Sequence, residues 1–494
     1  MKDLVLAIDQ GTTGTTALLV DKDLRVIASV NREFRQIFPQ PGWVEHDLED
    51  IWRSVVDTVA AVVQEAHVDT ARIAAIGITN QRETVGIWDR ATHAPVHNAI
   101  VWQCRRTAGR CQALKDEGHL ELFREKTGLL LDPYFSGTKL TWLLDEVEGV
   151  RARAEAGELA AGTIDSFLVW RLTGGARHVT DVTNASRTLL FDLASGDFDD
   201  ALLKVLRVPA SLLPEVRSSS EVYGETKGVP GLPDGIPIAG MAGDQQAALF
   251  GQACFRPGDV KCTYGTGAFI VLHTGTEIRR SSHDLLTTVA WQLGADAPLE
   301  YAMEGSVFSA GSAVQWLRDG LGIIDKAADV EALAASVSDS GEAVFVPALT
   351  GLGAPHWKPH ARGLIAGITR GTGRPELARA TLEGIALQCH EVIEALQSDA
   401  GARLNDIRVD GGAAANDLLM QMQADLAGQT VVRPDMLETT AAGAAFLAGL
   451  AVGLFPSKAA ITEVWREDRR FEPTSDRRAV ERLLAKWKSA VGRA

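Results

Sequence analysis

Asp9, Thr12, Thr13, Thr15 and Thr16 fall within eight residues that also hold Gly11 and Gly14. Two glycines free backbone N–H groups at a turn, and four hydroxyls add side-chain donors, so the segment can receive an anion. A carboxylate at the end of the preceding strand is placed to hold a hydrated Mg²⁺, an ion that keeps several waters and binds phosphates beside one or two carboxylates. The stretch reads as a phosphate cradle, although an ordinary polar hairpin has the same composition. It is not a Walker loop, because the Gly-Lys-Ser/Thr ending is missing. A second turn of this type, Gly265-Thr266-Gly267, lies inside CTYGTGAFIVL from Cys262. A third glycine motif, VDGGAAAND from Val409, offers close backbone approach to a flat ligand such as a purine ring. Polar residues also end the segment Thr79-Asn80-Gln81-Arg82-Glu83, and Asp244 follows Gly243 in a tight turn. Arg82 beside Glu83 is either a surface ion pair or a clamp for hydroxyl groups, and Trp102 offers a flat face to cover a small ligand. His356 and His360 have metal-like spacing, but Pro355 and Pro359 disfavour the helix that would bring them together, so no metal site is expected there.

These groups need strands and helices to hold them. Leu4–Ile8, Thr16–Val20 and Val26–Phe34 read as three strands around the first turn. Asp47 opens a helix whose apolar face is Leu48, Ile51, Trp52, Val55, Val56, Val59 and Val62, with Asp50 resembling the second half of a capping box. Ile73–Ile78 is a strand whose carboxyl end carries the Arg82–Glu83 pair, as crevice-facing residues in α/β sheets do. Tyr134–Glu146 runs from a loop into a helix, Thr163–Thr173 is helical, and Thr180–Leu190 reads as a polar connector. Pro230–Pro237 is a loop, and Ile238–Met241 leads to Asp244. Thr439–Pro456 carries no charge but is short and rich in Ala and Gly, so it reads as a buried, closely packed helix. Val480, Leu483, Leu484 and Trp487 predict a docked C-terminal helix. Two strand–glycine–strand hairpins, each opening about half of the chain, predict a duplicated architecture with a cleft between the halves.

The chain has 494 residues, 46% apolar and 23% charged, with a net charge of −15. That is enough for two large cores. The acidic balance argues against a nucleic-acid surface and means that an anionic ligand needs local compensation, most simply a divalent cation. Five scattered cysteines without CxxC spacing predict a reduced compartment and no structural metal. No signal peptide is evident and no membrane insertion is expected, so the protein is expected to be cytoplasmic.

Taken together, IDQGTTGTT, GITNQRET from Gly77, AIVWQCRRT from Ala99, GDQQAALFGQ from Gly243, TYGTGAF from Thr263, AGSAVQWLRD from Ala310 and the Gly411-Gly412 motif closely resemble the FGGY family of carbohydrate kinases, within the actin-like ATPase superfamily. Tyr134–Glu146 and Gly363–Glu383 resemble the family's own signature patterns. GITNQRET with VWQCRRT resembles the branch acting on glycerol. The resemblance runs from Leu4 to about Phe455. It implies an α/β fold of two ribonuclease-H-like domains, 1–250 and 251–494, with the catalytic cleft between them. It also implies Mg²⁺- and ATP-dependent phosphorylation of glycerol to sn-glycerol 3-phosphate, and a homo-oligomer, dimer or tetramer. Arg82, Glu83, Tyr134, Asp244 and Gln245 match glycerol-contacting positions, and Trp102 and Phe269 the apolar wall. Thr12, Thr13 and Gly14 match the first phosphate cradle and Thr266 the second. Gly311, Gln315, Gly412 and Asn416 match nucleotide positions. Asp244 is the expected general base, and Asp9, with Asp244 beside it, faces the metal.

Two features depart from the family. Thr16 stands near the nucleotide phosphates where well-known members carry an arginine. The loop GLPDGIPI has Asp234 and no arginine, and there is no histidine between Ser218 and Ile238, so neither bisphosphate inhibition nor histidine phosphorylation is expected. The alternatives to a glycerol-directed enzyme are a kinase for another small polyol or sugar and a nucleotide-switched actin-like ATPase. The Arg82/Glu83/Asp244 set separates them, since an ATPase switch needs no clamp for hydroxyls.

Overall fold

The computed structural model describes residues 2–401 and 403–494. Two mixed sheets frame it and repeat one topology. In the first, Leu4–Gln10, Gly14–Asp21 and Val26–Glu33 form an antiparallel meander. Ile73–Asn80 then pairs parallel with Leu4–Gln10, and Pro237–Gly243 parallel with Ile73–Asn80. In the second, Val260–Tyr264, Ala268–Gly275 and Glu300–Val307 form the antiparallel run. Ile407–Asp410 and Val431–Pro434 continue it in parallel. Three antiparallel strands followed by two parallel ones, twice over, is the duplicated ribonuclease-H-like arrangement that the resemblance implies.

Strand Leu4–Gln10 is buried on both faces because a helix covers each. Leu6 and Ile8 pack with Ile51, Val55 and Val59 of helix Leu48–Ala66. Val5 and Ala7 pack with Ala441, Ala444 and Ala448 of helix Thr439–Ala451. Asp47 caps the first of these helices, its carboxylate accepting from Glu49 N at 2.8 Å. Asp50 completes no capping box; it pairs instead with Arg53 and Arg35 at 2.9 and 3.5 Å.

Helix Thr439–Ala451 lies in the second half of the sequence but packs under the first sheet. Its small residues bring backbones together: a Cβ on Gly77 would sit 2.1 Å from Ala444 O, and one on Gly443 1.9 Å from Ala247 O. The charge-free run therefore serves packing between the halves, and among the described residues no helix is long and apolar enough to cross a membrane. The C-terminal helix Arg477–Val491 docks through Val480 and Trp487.

The segment 180–190 is not the surface connector that its polarity predicts. It forms strand Val179–Asp181 and a helical turn Val182–Ala185, buried throughout. Its polar groups satisfy one another: Asp181 accepts from Thr183 N and Asn184 N at 3.0 Å and from Ser219 Oγ at 2.8 Å. Asn184 pairs with Asn80 at 3.0 and 3.1 Å. Polarity marks exposure only where the groups lack internal partners.

The close helix–sheet contact yields a test. Gly443→Val forces a side chain into the Ala247 carbonyl and is expected to cost about 3 kcal/mol, the scale of overpacking in a filled core. A urea-denaturation comparison with the parent measures it. A loss below about 1 kcal/mol would mean that the helix moves away from helix Asp244–Gly251 at little cost.

Candidate active site

Strand Ile73–Asn80 ends where its neighbour Leu4–Gln10 ends, and Gln81 N donates to Gln10 O at 2.8 Å. The next two side chains are sent into the interior by a backbone irregularity. Glu83 has a φ of 59°, and Thr84 N closes onto Arg82 O at 2.7 Å. That left-handed conformation costs a non-glycine residue about 1 kcal/mol. Two side chains of helix Ser136–Glu146 hold it in place: Ser136 Oγ and Lys139 Nζ donate to Glu83 O at 3.0 and 3.4 Å. Lys139 also donates to Tyr134 O. Burial lowers the Lys139 ammonium to about 7.

Arg82 and Glu83 are not a surface pair; each side chain is 2% exposed. The Nη groups of Arg82 donate to Glu304 Oε2 and Oε1 at 2.5 and 2.9 Å. Its Nε faces Asp244 Oδ1 at 3.1 Å, and longer bonds of 3.3 Å reach Tyr134 and Gln246. Arg187 closes the ring, with Nε to Glu83 at 2.7 Å and Nη2 to Glu304 at 3.1 Å. Burial opposes ionisation of Glu304, but Arg187 and Arg82 outweigh it and hold the carboxyl at about 2. Burial raises Glu83 and Asp244 above the usual carboxylate range. Arg82 and Arg187 oppose this at Glu83, and Arg82 and Lys261 at Asp244. Lys261, buried and lowered by desolvation, donates to Gln245 Oε1 and to Thr263 Oγ1.

An aromatic wall stands beside these charges. Trp102 meets Tyr134 and Phe269 with ring centroids 5.6 and 6.2 Å apart. Trp102 Nε1 donates to Thr12 Oγ1 at 2.9 Å, joining the wall to the first glycine turn. All seven residues expected to touch a polyol thus lie in one cluster or beside it.

Each glycine turn is closed by a backbone hydrogen bond, across four residues in the first and three in the second. Gly11 N closes onto Gly14 O, and Gly265 N onto Gly267 O, both at 2.9 Å. Gly14 is required because a Cβ there would meet Arg32 O at 2.8 Å. Thr16 accepts from Asn31 Nδ2 at 2.9 Å, opposite Asp9 in the strand register. Asp9 accepts no hydrogen bond within the chain among the described residues. Burial, together with the nearby charges of Asp244 and Glu438, raises its carboxyl well above the usual range. Behind the second turn, a cavity of about 390 Å³ is lined by Thr266, Gly311, Gln315, Gly412 and Asn416. Gly311 N donates to Gly265 O at 3.0 Å, and Asn416 Oδ1 caps helix Asp417–Ala427 at Leu419 N, 2.8 Å away. Thr13 lies exposed on the first turn.

Arg187, Glu304, Lys139 and Lys261 escaped sequence reasoning. A lone charge in an apolar run, such as Glu304 in YAMEGSV, is the signal that was available, since such a group needs a buried partner.

The N-terminal domain of the FGGY family of carbohydrate kinases matches residues 4–251, and its C-terminal domain matches 260–452. A glycerol kinase of Myxococcus xanthus is 58% identical over 490 residues, 99% of each chain. A glycerol kinase 2 of Thermotoga maritima is 54% identical over 490 residues, 99% of this chain and 98% of that one. Among solved structures, Plasmodium falciparum glycerol kinase with ADP superposes with a TM-score of 0.91 at 36% identity, covering 99% of this chain and 98% of that one.

Lys139 provides a pH test of the site's support. A lysine lowered to about 7 in the fold stays neutral there while the unfolded chain takes up a proton. Its contribution to stability is therefore complete above pH 10.5 and is lost as pH falls toward 7. Lys139→Met removes this dependence, so stability relative to the parent is expected to shift in the variant's favour from pH 10 to 7 and then level off, read by urea denaturation along the pH series. A difference independent of pH would mean that Lys139 is charged in the fold.

Proposed function

The chain belongs to the FGGY family of carbohydrate kinases, and from that premise we propose that it transfers the γ-phosphoryl group of ATP to a terminal hydroxyl of glycerol, giving sn-glycerol 3-phosphate. One observation carries the assignment of the base. Of the three carboxylates around Arg82, Glu83 and Glu304 are 2% and 0% exposed, whereas the Asp244 side chain is 30% exposed. Asp244 alone of the three remains open to receive a proton from an attacking hydroxyl. Burial raises its carboxyl above the usual carboxylate range, and Arg82 and Lys261 act against that rise.

In this reading Arg82, Glu83, Tyr134 and Gln245 receive the hydroxyls, and Trp102 and Phe269 cover the carbon edge. Three adjacent hydroxyls require donors and acceptors in this density, and leaving any of them unpaired weakens binding. Thr12, Thr13, Gly14 and Thr266 cradle the phosphates, with Thr16 beside them. Gly311, Gln315, Gly412 and Asn416 hold the nucleoside. The cavity they line, with Val314, Leu382 and Leu419 as apolar surface, suits a purine.

The residues fit a divalent cation at the phosphates. Asp9 is a carboxylate without an internal donor, flanked by the negative charge of Asp244, and such a pair is the donor set Mg²⁺ takes beside phosphate. Bound there through Asp9 and Asp244, Mg²⁺ would offset phosphate charge. The chain's own part is positioning: it aligns the hydroxyl with the γ-phosphorus, accepts the proton at Asp244 late in the transfer, and excludes competing water when the halves close.

ADP release with glycerol, dihydroxyacetone, erythritol, xylitol and no acceptor tests substrate choice; preference for glycerol is expected, and turnover without an acceptor would favour an ATPase switch. Asp244→Asn keeps the side-chain shape without the basic oxygen and is expected to lower turnover by roughly 10²–10⁴-fold, with glycerol binding better preserved. Turnover near that of the parent would remove Asp244 from the role.

A further inference from the structure

Glu304 enters the Arg82 site from the other half of the molecule. It lies on strand Glu300–Val307 of the second sheet. Its partners Arg82 and Arg187 stand 222 and 117 residues away, in the first half. We infer that Glu304 and Arg187 are positioning residues for the polyol, and that Glu304 ties the hydroxyl clamp of one half to the seating of the other.

The geometry assigns the parts. Arg82 uses both Nη groups on Glu304, at 2.5 and 2.9 Å, which fixes the plane of its guanidinium. That orientation aims Nε at Asp244 and turns the Nη2 side toward Tyr134. Arg187 bridges Glu304 and Glu83 and so fixes the second clamp residue from the same anchor. Stability alone does not account for the ring. Apolar residues of equal volume fill a core as well as buried ion pairs do, and Nη1 of Arg187 is buried here without any partner. A separation of the halves withdraws the acceptor shared by both arginines, leaving Arg82 free to collapse onto Asp244 and Glu83. The clamp therefore has its binding shape only when the halves are together.

This inference rests on the kinase reading. Its test therefore uses the polyol that the parent turns over fastest in the acceptor panel. Failure of the glycerol reading then shows in the parent, and failure of this inference only in the variants. Glu304→Gln is expected to raise the polyol KM by roughly tenfold to a hundredfold. The ATP KM, taken at saturating polyol, should stay within about twofold, because the nucleotide residues do not touch the ring. Glu304→Asp keeps the charge but shortens the reach, and should recover part of the polyol affinity. That variant also decides the matter if Glu304→Gln does not fold. A merely structural role lowers its melting temperature and leaves the polyol KM of the folded enzyme unchanged, whereas a positioning role raises that KM. Small-angle scattering reads the coupling: polyol should compact the parent but not Glu304→Asp at the same fractional saturation. Polyol KM values within twofold of the parent, or unchanged compaction, would overturn the inference.

Discussion

Two arginines and two glutamates that meet out of reach of water constrain everything around them. An unpaired charge in such a place costs several kcal/mol, so Arg82, Arg187, Glu83 and Glu304 exist as ions only as a set. The set has no single home in the chain. Arg82 and Glu83 follow the end of one strand, Arg187 follows a buried helical turn, and Glu304 comes from the opposite sheet. For the ring to close, the segment around Arg187 must be pulled into the interior, which explains why a stretch so rich in hydroxyls is buried. Glu83 must also adopt a left-handed backbone, and Ser136 and Lys139 supply the donors that make this tolerable. Asp244 sits one bond outside the ring, held by Arg82 Nε yet open on its other side.

The two halves that share this ring also share a helix. Thr439–Ala451 supplies backbone-to-backbone contact with Ile73–Asn80, Pro237–Gly243 and Asp244–Gly251 through glycines at 77, 240, 251 and 443. Contacts this close cannot slide without clashes, because packed interfaces are not continuously deformable. The small-residue sequence, read as a buried and closely packed helix, lies under the first sheet in that way.

Local pattern made much of this legible in advance. Strand–glycine–strand segments marked both glycine turns, because turn chemistry is written in adjacent residues. Asp47 was readable as a cap, and the apolar stripe after it as a helix face. The cluster of Arg82, Glu83, Asp244 and the aromatics came from motifs matched as a whole to a family, a source of information beyond periodicity. What stayed hidden was tertiary. Nothing near Arg187 says that its partner is Glu304, and the Asp181 hydrogen bonds that bury the Thr180–Leu190 segment involve Ser219 across the fold. Asp50 was misread for the opposite reason: a local rule predicted a capping box, and Arg35 and Arg53 offered a better partner.

The Arg82 ring and the surroundings of Asp9 differ in how their charges are paired, and that difference bears on the proposed reading of the site. Around Arg82, two arginines meet two glutamates, Arg82 and Arg187 with Glu83 and Glu304, and Asp244 stands beside them on Arg82 Nε. Beyond Asp244 the balance is lost. Asp9 has no donor, Glu438 lies close enough to raise its carboxyl, and Asp410 is satisfied at one oxygen by Gln252 and Thr439 at 2.8 and 2.7 Å but leaves Oδ1 buried and unpartnered. Thr16 adds a hydroxyl and no charge. On the proposed reading, a magnesium–nucleotide complex would bring positive charge to the place where these carboxyl groups gather. On the same reading, a neutral polyol would meet charges that are already paired. On the proposed reading, a metal would compensate the nucleotide side, and the hydroxyl side would rest on the geometry of the shared arginine–glutamate ring.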